Sequence, residues 1–91
     1  MIAMKRNPNY LLREVAGSMV LVPVGEATQD FPGMITINAT SAYLWEQLET
    51  RQTKESLVAA LLNRYDVPEA KAKEDVEKFL KTLMLIGAVT E

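Results

Sequence analysis

The hydrophobic period of this chain changes at Asn38, and that change limits the folds open to it. Between Met34 and Ile37, Ile35 and Ile37 alternate with Met34 and Thr36, the period-two pattern of a half-buried strand. Beyond Asn38 the period becomes helical. Leu44 and Leu48 fall four residues apart with Trp45 beside them, which gives one apolar helix face. Asn38 offers a side-chain oxygen to the free N–H groups of the first helical turn, with Thr40 as a competing cap. Asn38-Ala39-Thr40 also spells a glycosylation sequon, but a helix cap accounts for the same atoms. Trp45 is the only tryptophan, and a side chain of that size anchors a core.

The segments before this switch read as β-structure. Tyr10, Leu11, Leu12, Arg13, Glu14 and Val15 form one expected strand, and Met19, Val20, Leu21 and Val22 another. Ala16-Gly17-Ser18 breaks the run, so the two pair as a hairpin, and Pro23 marks a strand end or edge. A loop is expected from Gly25 to Gly33. Residues 1–9 read as a flexible lead-in.

After the switch come two further helices. Thr53 is the expected N-cap of the second, with Glu55 in its first turn where the helix dipole favours an acid. Leu57, Val58, Leu61, Leu62 and Tyr65 make its apolar stripe. Pro68 has the fixed φ of a first helical position, with Asp66 or Val67 as cap and Asp66–Glu69 as a capping box. Ala72, Val76, Phe79, Leu80, Leu83 and Met84 line the third helix, and Glu74–Lys78 and Glu77–Lys81 are expected ion pairs on its other face. Gly87 supplies a left-handed C-terminal residue, and Ala88-Val89-Thr90 is an extended tail that packs back on the core. The expected architecture is α+β: a three-stranded antiparallel sheet followed by three helices, arranged like a winged helix, in a single domain over residues 1–91.

Composition narrows the chemistry. The chain has neither cysteine nor histidine, so disulfides, thiolate or imidazole zinc sites, Cys–His nucleophiles and Ser–His–Asp triads are impossible. The acids form no recognisable catalytic pair. No catalytic residue, metal site or cofactor is therefore expected. Net charge is −2, without the basic excess of a duplex-binding domain. Met1 to Arg6 is too short and too soon charged for a signal peptide, and no apolar run approaches the length of a membrane span, so the expected setting is cytoplasmic.

The order of these motifs resembles a known family. Residues 37–48, Ile-Asn-Ala-Thr-Ser-Ala-Tyr-Leu-Trp-Glu-Gln-Leu, look like its "L-N-x-T-A-x-x-I/L-W-x-x-L" signature. Thr53-Lys54-Glu55-Ser56-Leu57 is similar to "T-x-x-E-L", and Tyr65-Asp66-Val67 to "Y-D/G-V". Asp75-Val76-Glu77-Lys78-Phe79-Leu80, with Leu83 and Gly87, resembles "D-V-x-x-F-L-x-x-L-x-x-x-G". This is the PqqD-like family, precursor-peptide recognition elements of ribosomal peptide maturation. Ser41 stands where the family often has Ala, and the turn at Asp66-Val67-Pro68 is shorter than the common form.

The resemblance implies a non-catalytic binder of a precursor leader peptide, working beside a radical or other maturation enzyme. The leader would add as a strand along Met34, Ile35, Thr36 and Ile37 and rest on the third helix at Lys71, Asp75, Lys78 and Met84. Met34 and Met84 would suit an adaptable groove. Asp75 serves equally as a structural brace or a leader contact. Two other functions compete. A DNA-binding winged helix is disfavoured, because the third helix balances Lys71, Lys73, Lys78 and Lys81 with Glu69, Glu74, Asp75 and Glu77 and carries no arginine. An assembly subunit, monomer or homodimer, is compatible with an open sheet edge. Neither nucleic acid nor membrane is an expected partner.

Overall fold

The computed structural model describes residues 3–26, 28 and 33–90. In chain order the elements are β1 (Ala3–Arg6), β2 (Tyr10–Val15), β3 (Ser18–Pro23), β4 (Ile35–Ile37), α1 (Ala39–Gln47), β5 (Gln52–Thr53), α2 (Lys54–Arg64), α3 (Glu69–Leu85) and β6 (Val89–Thr90). Strands β2, β3 and β4 form the expected antiparallel sheet, with β3 in the middle. A second small sheet has β1 between β5 and β6. The loop expected from Gly25 to Gly33 lies largely outside the described residues.

The hairpin turn fixes the polarity of the main sheet. Ala16 and Gly17 both have positive φ (52° and 84°), as a two-residue type I′ turn requires. Such a turn is closed by a hydrogen-bonded pair, here Val15 with Ser18. Hydrogen-bonded and non-hydrogen-bonded pairs then alternate along the antiparallel ladder. Arg13–Val20 and Leu11–Val22 are bonded pairs, whereas Tyr10 opposite Pro23 is not, so Pro23 forfeits no bond to β2. Val20 therefore spends its backbone groups on β2, and Met19 and Leu21 spend theirs on β4. Their partners Ile37 and Ile35 point back at β3, and Thr36, opposite Val20, turns its N–H and C=O to the open edge.

The core lies between the inner sheet face and the helices. Leu21, Leu44, Leu48, Leu57, Ala72 and Val76 are closed to solvent, and Trp45 retains only 1% exposure. Asn38 caps α1 by accepting from the Ser41 N–H at 2.8 Å. Thr53 caps α2 through the Ser56 N–H, and the Ser56 hydroxyl accepts from the Thr53 N–H, closing a capping box. Gly87 takes the left-handed conformation after α3 (φ 73°), and Ala88 and Val89 pack into the core.

Several expectations are corrected. Residues 3–6 are no flexible lead-in: β1 pairs on both sides and buries Met4, a single inward side chain too short a pattern to read. β4 starts at Ile35, one residue after Met34. Pro68 is the N-cap of α3 with extended backbone (ψ 148°), and no side chain caps this helix, so no Asp66–Glu69 box forms. Leu62 and Met84 stand outside the core at 38% and 52% exposure, each one step round its helix from the buried Leu61 and Leu83. Glu77 meets Lys54 of α2 at 2.6 Å in place of Lys81, a partner that only helix packing supplies.

Candidate functional site

The strand-to-helix switch positions one wall of a groove. β4 is only three residues long and runs directly into capped α1, so its outer edge is held at one end by the Asn38 cap. α3 passes alongside and provides the other wall. Between them lies a cleft of about 250 Å³ lined by Ile35, Thr36, Ile37, Asn38, Thr40, Ser41, Asp75, Lys78, Phe79, Thr82 and Leu83. Ile35 and Ile37 share the inner sheet face with Leu21, and Phe79 and Leu83 are buried at 5% and 1%, so the floor is apolar. Thr36 is exposed at the lip, with its backbone N–H and C=O facing outward as the ladder dictates.

The rim is polar and balanced. Asp75 holds Lys71 at 3.0 Å, and Glu74 holds Lys78 at 2.9 Å, both as i,i+4 pairs on α3. The Glu74 hydrogen bond and charge, with the charge of Asp75 behind them, raise the Lys78 ammonium above its ordinary value. Lys78 likewise lowers the Glu74 carboxyl, with a smaller contribution from Lys71. One anion and one cation thus face the cleft without a net charge. Such a rim suits an uncharged peptide backbone. Lys73 is committed to Glu69 at 2.9 Å, so three of the four lysines that a DNA reader would need on α3 are tied up within the helix.

Of the residues singled out from sequence, the fold brings Ile35, Thr36, Ile37, Asp75 and Lys78 into this one cleft. Lys71 stands behind the rim, bound to Asp75. Met34 precedes β4 at 61% exposure, and neither it nor the exposed Met84 lines the cleft. Sequence reasoning missed Asn38, Thr40, Ser41, Phe79, Thr82 and Leu83. Helical spacing held a signal for three of them: residues 75, 78, 79, 82 and 83 fall on one side of a helix. Asn38, Thr40 and Ser41 follow β4 directly; the sequence marks Asn38 and Thr40 as caps and Ser41 only as a departure from the family's Ala. Among the described residues no group of His, Cys, Asp and Glu could hold a metal ion, and no helix is long and apolar enough to cross a membrane.

The fold recurs in a solved structure. TbiB1 in complex with the TbiA(beta) leader peptide superposes with a TM-score of 0.72, covering 93% of each chain at 19% sequence identity. At that identity the likeness is one of fold. No curated protein gives a significant match. The sequence profile of coenzyme PQQ synthesis protein D (PqqD) matches residues 18–89, from the first residue of β3 into β6. The hairpin's second strand, the cleft and helices α1, α2 and α3 fall within that match, and the chain belongs to the PqqD family.

Proposed function

We propose that this protein is a non-catalytic peptide-binding module. It captures the leader of a ribosomally made precursor by strand addition to β4 and presents it to a maturation enzyme. One observation carries the reading: the register turns the Thr36 N–H and C=O out over a cleft whose far wall is α3. An extended peptide there gains main-chain hydrogen bonds from Thr36 and side-chain burial on Ile35, Ile37, Phe79 and Leu83. The solved relative in fold, TbiB1, is described with a leader peptide bound, which supports the same class of ligand here. A short edge anchored by a helix cap is already ordered, so the ordering cost falls mainly on the peptide.

The site residues assigned to the leader are Ile35, Thr36, Ile37, Asp75 and Lys78, extended by Asn38, Phe79, Thr82 and Leu83. Met34, Lys71 and Met84 flank it. The absence of Cys and His from the sequence and the lack of an acid pair support a binding role without turnover. Amide shift mapping of the labelled protein with a synthetic peptide of its precursor's leader tests the assignment. Changes are expected at residues 35–41 and 75–83. Changes confined to β2 and its turn would refute it.

A further inference from the structure

The main sheet has a second open edge. β2 and β4 lie on opposite sides of β3. The ladder that aims Thr36 outward also aims alternate residues of β2 outward. Val15, Arg13 and Leu11 bond to β3, so Leu12 and Glu14 turn their N–H and C=O away from it. Beside this edge runs a groove of about 740 Å³, between β2, β1 and the end of α1. Its lining includes Lys5, Arg6, Leu12, Arg13, Trp45 and Glu49. Three cations thus face one carboxylate, in a chain whose net charge is −2.

The state of these cations differs from that of the helix lysines. Lys54, Lys71, Lys73 and Lys78 each hold a carboxylate. Among the described residues, Lys5, Arg6 and Arg13 hold none. Arg6 is fixed with its guanidinium 5.8 Å from the Trp45 ring centroid and donates to the Trp45 carbonyl at 3.4 Å, so one charge is pre-positioned at the groove wall. Lys5 and Arg13 are exposed.

We propose that the outer edge of β2 is a second strand-addition site, whose occupant is an extended acidic segment of a partner protein. Leu12 and Glu14 supply the main-chain hydrogen bonds, the incoming strand displacing the long 3.5 Å contact that the Arg13 guanidinium makes to the Leu12 carbonyl, and Lys5, Arg6 and the released Arg13 select for Asp and Glu side chains. Because β3 separates the two edges, this segment and a peptide on β4 bind without competing. The proposal does not depend on what occupies β4.

The test uses the full chain, isotope-labelled, and two acetylated, amidated probes about eight residues long. One alternates Val with Glu and the other Val with Lys. The Val–Glu probe is expected to give saturable amide shifts centred on Leu12 and Glu14, weakening several-fold as salt is raised to about 0.5 M. The Val–Lys probe should give none. The Lys5→Glu/Arg13→Glu variant changes two exposed side chains and should lose saturable binding while its spectrum keeps native dispersion. Glu14→Pro removes one outward donor and should weaken binding about two- to tenfold relative to Glu14→Gln, which controls for the lost charge. Equal binding of both probes, shifts confined to the β4 cleft, no saturable shift, or unchanged binding by the charge-reversed variant would each overturn the proposal. Concentration-dependent shifts at Leu12 and Glu14 without any probe would also overturn it, identifying a second copy of this chain as the occupant.

Discussion

Trp45 fills the centre of the core at 1% exposure, and its removal leaves a cavity that Leu44 and Leu48, both closed to solvent, cannot fill. Trp45→Ala is expected to cost about 3–5 kcal/mol, a large share of the roughly 5–15 kcal/mol a domain possesses. Urea denaturation should show a midpoint near zero denaturant or no cooperative transition; an unchanged midpoint would place Trp45 outside the core. Ala16 behaves in the opposite sense. Its φ of 52° is costly for a residue with a Cβ and no side-chain polar group to compensate. Ala16→Asn, which tolerates this region, should stabilise the hairpin by up to about 1 kcal/mol and raise the melting temperature.

At the scale of the element, β4 makes the sharpest distinction. Thr36 faces the open edge and Ile35 and Ile37 face β3, so proline has opposite effects at neighbouring positions. Thr36→Pro should leave a folded protein whose leader affinity falls by about 0.5–1.5 kcal/mol for the lost donor, plus the clash of the ring. Ile37→Pro should unfold the sheet, because it removes a donor from the ladder. Calorimetric titration and circular dichroism of the pair decide the matter, and an unfolded Thr36→Pro would mean the leader edge is wrongly named. On α3, the Lys78 hydrogen bond and charge hold the Glu74 carboxyl below the ordinary glutamate value. A lowered folded-state value means the pair contributes fully at neutral pH and is lost as pH falls through that lowered value. Both partners are exposed, so the effect is small, and side-chain carbon NMR of Glu74 should show the depressed midpoint.

At the scale of the whole molecule, the N-terminal strand ties the ends together. β1 lies between β5 and β6, the Arg6 N–H donates to the Leu48 carbonyl at 3.1 Å, and Asn7 donates to the carbonyls of Ala88 and Gly87. The Tyr10 hydroxyl donates to the Ile86 carbonyl at 2.6 Å, so carbonyls beyond the end of α3 are satisfied by residues from the other end of the chain. Deleting residues 1–6 should strip Met4 from the core, leave β5 and β6 without a partner, and lower thermal stability by several degrees or more. A melting temperature equal to that of the full chain would show that β1 is peripheral.

The sequence determined the elements whose signals are local. The switch at Asn38, the Thr53 cap, the hairpin about Gly17 and the apolar faces at Leu44–Leu48 and Val76–Phe79 are all set by neighbours within four residues, whereas Asp75 and Lys78, which meet β4 in the cleft, were singled out only by the family resemblance. Tertiary structure decided the rest, because its determinants lie far apart in the chain. β1 has too few side chains to show a period, and its partners are some fifty and eighty-five residues away at Gln52 and Thr90. Glu77 chose Lys54 over Lys81 only because α2 packs on α3. The outward turn of Thr36 depends on a register counted from Ala16 and Gly17 through β3, and alternation in a strand names its faces but not the neighbour to which each backbone group points.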